Sequence, residues 1–323
     1  MTLPLHGGDL AAAEALWGRP AQGWLDLSTG INPWPYPLPA LAAEAWTRLP
    51  GAAEERALTG AAARRWHAPG PDRILAAPGS SALIQALPRL LPPGDMAVLG
   101  PTYGEHARAW AAAGHAVRRI SSLDEVGGAA AVVVVNPNNP DGRTLAPDRL
   151  AALTGGGRLV VADEAFADAT PEGSAIPLLR PGLVVLRSFG KFYGLAGLRL
   201  GFAVAEPALL DRLTAQLGPW PVSGPALAVG AAALGDEAWT TATRARLSDA
   251  ASRLDAVLIS AGLTIIGGTT LFRLAEHPLA GEVYQRLGRA GILVRAFADQ
   301  PSRLRFGLPA SEGDGARLRQ ALG

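Results

Sequence analysis

The sequence contains no cysteine. That excludes a disulfide framework, a thiolate nucleophile and a cysteine zinc site, and nothing else in the chain points to a metal. Charge is scarce too: 18% of the residues are charged and the formal net charge is +1, which leaves no electrostatic footprint for nucleic acid or an anionic membrane. No apolar run reaches the length a spanning helix needs, since AAAVVVVNPNNP (129–140) stops at a turn after a few residues. The start, MTLPLHGGDLAAAEALWG, has no basic n-region and carries Asp9 and Glu14 where a signal peptide's apolar core would lie. The expectation is a soluble, cytoplasmic protein. Internal repeats and low-complexity linkers are missing as well. No G-x-G-x-x-G follows the first predicted strand of the alternating region, which sets aside a single-domain Rossmann dehydrogenase.

What the chain does have is length and apolar periodicity. Its 323 residues, 49% of them hydrophobic, allow one large domain and a smaller one. Residues 1–35 are rich in Gly, Pro and Trp, which predicts an extended arm because proline forbids regular helix. Helical stretches are expected at 39–49 and 54–67. Strands and helices then alternate: RILAAPG (73–79), MAVLGPTY (96–103), HAVRRIS (115–121), AAAVVVVNP (129–137), GRLVVADEAF (157–166), GLVVLRSF (182–189) and LRLGFAVA (198–205) read as strands, with helices at 80–91, 105–114 and 144–153. Continuous apolar strands with helical crossovers predict a mostly parallel sheet with helices on both faces, an α/β fold. Beyond about 206 the pattern changes to a long helical region (225–261), TTLFRLAE (269–276), a helix at 279–290, GILVRAF (291–297), RLRFGLP (303–309) and a last helix. That is a smaller α+β domain. The expected division is an arm at 1–35, a large domain at 36–206 and a small domain at 207–323.

In open α/β sheets ligands sit at the carboxyl ends of the strands, and the polar residues fall there. Gly79-Ser80-Ser81 opens a helix, a place suited to phosphate or to an ordinary cap. Tyr103 ends the next strand. Asn136, Asn138 and Asn139 occupy NPNNPDGR, where asparagine and proline form turns. Asp163 closes the apolar run LVVA, where a carboxylate is costly unless a cation or a protonated heterocycle nitrogen pairs with it. Glu164 faces the other way and reads as structural. Ser188, Lys191 and Arg199 follow the next strand in SFGKFYGLAGLRLGF, with Lys191 among Phe189, Gly190, Phe192 and Tyr193, a setting that favours a neutral, nucleophilic amine. A candidate phosphate loop, a buried acid, a desolvated lysine and an arginine together describe a pocket for pyridoxal 5′-phosphate.

The motifs NPNNPDG, ADEAF, SFGKFYGLAGLRLGF and LRFGLP, in that order over nearly the whole chain, resemble the fold-type I pyridoxal-phosphate enzymes of the class I/II aminotransferase type. The resemblance implies that Lys191 carries the cofactor and shuttles protons, that Asp163 pairs with the pyridinium nitrogen, that Asn139 bonds the ring 3′-oxygen and that Tyr103 stacks on the ring. Ser80, Ser81, Ser188 and Arg199 would hold the phosphate. Arg305 matches an arginine that binds a substrate anion, usually the α-carboxylate, and Arg295 one that helps hold a substrate phosphate. Two departures stand out: Phe166 replaces a frequent tyrosine, so one bond to the 3′-oxygen is expected to be missing, and Leu49, in RLPG, replaces a tyrosine that reaches a neighbouring subunit's cofactor.

Within that family the chain is most similar to histidinol-phosphate aminotransferases and to the threonine-phosphate decarboxylases of cobalamin biosynthesis. HGGDL (6–10) followed by LDLSTGINPWPYP (25–37) resembles the opening of the latter, where His6 and Asn32 would line the substrate pocket. The implied reaction is decarboxylation of O-phospho-L-threonine to (R)-1-aminopropan-2-ol O-2-phosphate in a homodimer. A phosphate-substrate aminotransferase and a noncatalytic binding protein stay open as alternatives.

Overall fold

The structure is a computed structural model and describes residues 7–323. Along the chain, β1 (Leu25–Asp26) is followed by β2 (Ile74–Ala77), β3 (Asp95–Leu99), β4 (Ala116–Ile120), β5 (Ala131–Val135), β6 (Leu159–Asp163), β7 (Leu183–Ser188) and β8 (Gly201–Val204). Then come β9 (Thr264–Thr269), β10 (Phe272–Glu276), β11 (Ile292–Leu293), β12 (Arg295–Ala296) and β13 (Arg303–Gly307). Strands β2 to β8 form one sheet in the order β2-β8-β7-β6-β5-β3-β4. It is parallel from β4 to β7, while β8 runs antiparallel to both of its neighbours. This is the mostly parallel α/β sheet that the continuous apolar runs predict.

Every residue of β5 and β6 is buried, as strands covered on both faces must be. Met96, Val98, Val133, Val161 and Leu186 pack with Leu83 and Trp110 from the helices Ser80–Ala86 and Gly104–Ala112. The register decides where the polar residues emerge. Val135 lies opposite Asp163, Asp163 opposite Leu186, Ser188 opposite Gly201, and Gly201 opposite Ala77. The carboxyl ends of β2, β5, β6 and β7 therefore share one edge with the start of β8.

The chain divides into two compact units, one comprising residues up to Trp34 with 140–142 and 241–323, the other 35–139 with 143–240. The second contains the large sheet. The first contains a four-stranded antiparallel sheet in the order β12-β13-β10-β9 and the parallel pair β1-β11. Among the described residues no helix is long and apolar enough to cross a membrane.

Several local expectations are corrected. The arm is not wholly extended: Leu10–Trp17 is a helix, because LAAAEALW contains no proline and the Asp9 carboxylate caps it, accepting from Ala12 N–H at 3.0 Å. Between 39 and 49 only Glu44–Thr47 is helical. The long helical region is two helices, Gly224–Gly235 and Glu237–Ser260, separated by Asp236. Asp236 leaves helical geometry so that its carboxylate accepts from Trp239 N–H at 2.9 Å. TTLFRLAE spans a hairpin turn, and its partner β9, in LTIIGGTT, escaped notice because paired glycines weaken the strand pattern.

Candidate functional site

At the carboxyl edge of the large sheet lies a cavity lined by Ser80, Ser81, Tyr103, Asn139, Asp163, Phe166, Ser188, Lys191 and Arg199. The structure thus brings together all the residues expected to serve a cofactor. They come from the carboxyl ends of β2, β3, β5, β6 and β7 and from the turn before β8.

Asp163 ends β6 and is 3% exposed. Its Oδ1 accepts from Ala165 N–H at 3.1 Å. Its Oδ2 lies 2.7 Å from Nε2 of His106, a residue only 1% exposed. The partner that a buried carboxylate requires is therefore supplied by an imidazole that sequence reasoning missed. The signal was present in PTYGEH: His106 stands three residues after Tyr103, one helical turn away, and so shares its face. Tyr103 lies edge-on to the His106 ring at 6.3 Å. Burial first, and then the charges of Glu105 and Asp163, push the Tyr103 phenol above its ordinary pKa, so it is neutral at physiological pH.

Lys191 sits in the single turn Phe189–Phe192 that follows β7. Its neighbours Phe189 and Phe192 are buried, and the rings continue behind it. Tyr193 stacks on Phe189 at 4.3 Å, and Trp239 stacks on Tyr193 at 5.6 Å. This column leaves the turn little freedom. In front, the Lys191 Nζ stands 6.0 Å from the centroid of Phe166.

The opposite end of the cavity is set by close backbone approach. A Cβ on Gly201 would stand 2.2 Å from Ser80 N, and one on Gly79 would stand 2.7 Å from Arg199 Nη2. The backbone approach at Gly201 admits only glycine, and at Gly79 the φ of +82° demands it. Arg199 itself adopts φ +53°, a conformation that costs a non-glycine residue roughly 1–2 kcal/mol. Its Nη1 donates to Ala196 O at 3.2 Å. Strain of this kind collects at functional sites. Here it aims a guanidinium at the loop bearing Ser80 and Ser81.

Behind the strand ends lies a buried ionic cluster. Arg187, in β7, is 1% exposed; it lies 3.0 Å from Glu164 Oε2 and 3.1 Å from Asp168 Oδ1, and donates to Ser174 Oγ at 2.8 Å. Trp66 Nε1 donates to Asp168 Oδ1 at 2.7 Å. Glu164 also accepts from Ser174 Oγ and Ala175 N–H at 2.7 and 2.6 Å. Burial holds its carboxyl above the usual range, although Arg187 pulls the other way. Glu164 is structural, bracing the strand end that presents Asp163. Asn136 and Asn138 are likewise turn residues, Asn136 exchanging bonds with Leu145 and Asn138 bonding Pro101 O and Thr102.

The residues expected to meet a substrate fall in the other unit. Arg295 and Arg305 are direct cross-strand partners on β12 and β13. Arg305 is 7% exposed, donates to Ser28 O at 2.7 Å and lies 5.1 Å from the Phe272 ring. Burial, then the like charge of Arg295, lower its pKa to about 10, with Asp26 opposing them. Two neighbouring guanidiniums suit an anion. Asn32 is buried and closes its own turn, its Oδ1 accepting from Trp34 N–H at 2.9 Å. His6 lies outside the described residues.

Comparison with known proteins places these features in context. The sequence model of the aminotransferase class I and II family matches residues 37–322. A threonine-phosphate decarboxylase of Pseudomonas aeruginosa is 46% identical over 98% of this chain and 96% of its own length. One from Sinorhizobium sp. is 45% identical, covering 100% of this chain and 98% of its own. Among solved structures, a histidinol-phosphate aminotransferase of Sinorhizobium meliloti in complex with pyridoxal-5′-phosphate superposes with a TM-score of 0.81 at 22% identity, covering 97% of this chain and 93% of that one.

Proposed function

The chain belongs to the aminotransferase class I and II family, and from that premise we propose that it decarboxylates O-phospho-L-threonine, releasing CO2 and (R)-1-aminopropan-2-ol O-2-phosphate. What carries this choice within the family is the 46% and 45% identity to two threonine-phosphate decarboxylases along nearly the whole chain, and the cation pair accords with it. Arg295 beside a buried Arg305 suits a substrate with two anionic ends, a phosphate and a carboxylate.

The cavity fits pyridoxal 5′-phosphate. Ser80, Ser81, Ser188 and the strained Arg199 provide donors for its phosphate where Cβ atoms on Gly79 and Gly201 would intrude. Asp163, kept in place by His106, suits a protonated ring nitrogen, while Asn139 and Tyr103 would bond and cover the ring. Phe166 brings no hydroxyl, so the 3′-oxygen would rely on Asn139. When bound, the cofactor supplies an electron sink conjugated to the substrate's α-carbon.

The chain's own residues do the rest. Lys191 would supply the amine that holds the cofactor and the acid beside the α-carbon. By resemblance to the family, Arg295, Arg305 and Asn32 would take the substrate's anions, and the way the carboxylate is held decides which bond at the α-carbon is aligned for cleavage. As the bond from the α-carbon to the carboxylate breaks, its electron pair stays on the α-carbon and CO2 departs neutral. A proton from Lys191 then takes the place of CO2, which balances the exchange. Holding the carboxylate in another orientation would expose the Cα–H bond and give transamination.

The working form is a cytoplasmic homodimer. Leu38, Trp46 and Leu49 are 68%, 69% and 68% exposed within one short stretch, an apolar surface that a second copy would cover.

The test is a product assay on cofactor-loaded protein with O-phospho-L-threonine, with and without 2-oxoglutarate. CO2 and aminopropanol phosphate are expected without the oxo acid and are lost in Lys191→Ala. Turnover that requires 2-oxoglutarate and releases no CO2 would make the protein an aminotransferase.

A further inference from the structure

The glycine pair that follows His6 in the sequence has no part in the chemistry above, yet its geometry is demanding. A Cβ on Gly7 would stand 2.4 Å from the Ser28 carbonyl oxygen, an approach that only glycine allows. Gly8 turns with φ +83° and donates its N–H to Ser28 Oγ at 2.7 Å. The Ser28 hydroxyl donates in turn to Asp26 Oδ1 at 2.5 Å, and the Ser28 N–H donates to the same oxygen at 2.9 Å. On its other side the Ser28 carbonyl accepts from Arg305 Nη2 at 2.7 Å. Ser28 is 1% exposed, so its own hydroxyl and carbonyl have no water as an alternative partner.

We infer that Ser28 and Asp26 are positioning residues for the substrate's anion, Ser28 joining the Gly7-Gly8 turn to Arg305 and Asp26 holding Ser28 in the orientation that permits both bonds. The inference rests on the functional reading above, which gives Arg305 a substrate anion to bind. Asp26 has a second effect, because its charge offsets the repulsion between Arg295 and Arg305. The loop does not depend on the Ser28 hydroxyl for its path. Leu27 N–H donates to Leu293 O and Gly307 N–H to Leu27 O, both at 2.7 Å, so removing the hydroxyl loosens the arm and the guanidinium without unfolding the loop.

The experiment is steady-state CO2 release from O-phospho-L-threonine by variant holoenzymes. Ser28→Ala and Asp26→Ala should each raise KM about fivefold or more with kcat within about twofold, the pattern of lost substrate positioning. The double variant should be no worse than the more severe single one, because both cut one chain of bonds. Asp26→Asn keeps the Oδ1 acceptor and should restore most of the KM. Unmoved KM, additive effects, or a fall in kcat at constant KM overturns the inference. A second readout needs no turnover: amide hydrogen exchange over residues 7–10 and 26–30, in Ser28→Ala or, if that variant does not fold, in the wild type with and without O-phospho-L-threonine. The two segments should change protection together, and a change confined to one overturns the coupling. A wild type that releases no CO2 while both segments respond together would sink the functional reading and leave the role of Ser28 standing.

Discussion

Arg187→Met is the most informative perturbation of the scaffold. Methionine approximates the arginine stem, so the substitution leaves little cavity but removes the cation shared by Glu164 and Asp168. Both carboxylates are almost fully buried. Breaking a buried pair from one side leaves an uncompensated charge, at a cost of about 3–5 kcal/mol. Asp168 keeps the bond from Trp66, and Glu164 keeps those from Ser174 and Ala175, which argues for the lower half of that range. The loss must depend on pH. The folded-state pKa of Glu164 is already raised by burial, and Arg187 is the first influence lowering it; without the arginine it rises further. A carboxyl raised in the folded state contributes stability that is complete below its unfolded pKa, near the ordinary 4.5, and is lost as pH rises through the folded value. The penalty of Arg187→Met should therefore be smallest in acid and grow towards neutral and alkaline pH. Urea unfolding followed by circular dichroism at pH 5 and pH 8 measures it. Equal loss at both pH values, or a loss below about 1 kcal/mol, would refute the reasoning that this cluster is buried and charged.

Three further outcomes are expected. Arg199→Gly relieves the left-handed backbone while removing a guanidinium, so the melting temperature of the cofactor-free protein should rise as affinity for pyridoxal 5′-phosphate falls roughly tenfold to a hundredfold; calorimetry and fluorescence titration read the two separately. Gly201→Ala drives a Cβ into the Ser80 backbone and should destabilise by about 1–3 kcal/mol, with weaker cofactor binding in the same titration. Trp46→Asp, at a 69% exposed position, should leave the fold intact by circular dichroism and shift sedimentation towards a monomer; an unchanged dimer would place the interface elsewhere.

Much of the candidate site is legible in the sequence. The unbroken apolar runs of β5 and β6 announce strands buried on both faces, and polar residues just after such runs must surface at one edge of a parallel sheet. Asp163, Ser188 and Lys191 follow from that logic alone, and the order of four short motifs carried the family. Local chemistry also explains the errors, since the Asp9 cap and proline-free LAAAEALW make a helix inside a stretch whose average composition reads as extended.

What the chain could not reveal is pairing. Asp163 visibly needed a partner, but that the partner is His106, 57 residues away, depends on how helix Gly104–Ala112 packs on the sheet. The Arg187 cluster was hidden because a charge inside VVLRS looks like a strand-end residue until Glu164, Asp168 and Ser174 close around it. Arg295 and Arg305 become neighbours only through the register of β12 and β13, and Ser28 meets Gly8 and Arg305 only because the arm returns to it. Periodicity and turn chemistry act between residues a few positions apart, so they can be read along the chain. Hydrogen bonds and ion pairs between distant segments depend on packing in three dimensions, and that belongs to the tertiary structure alone.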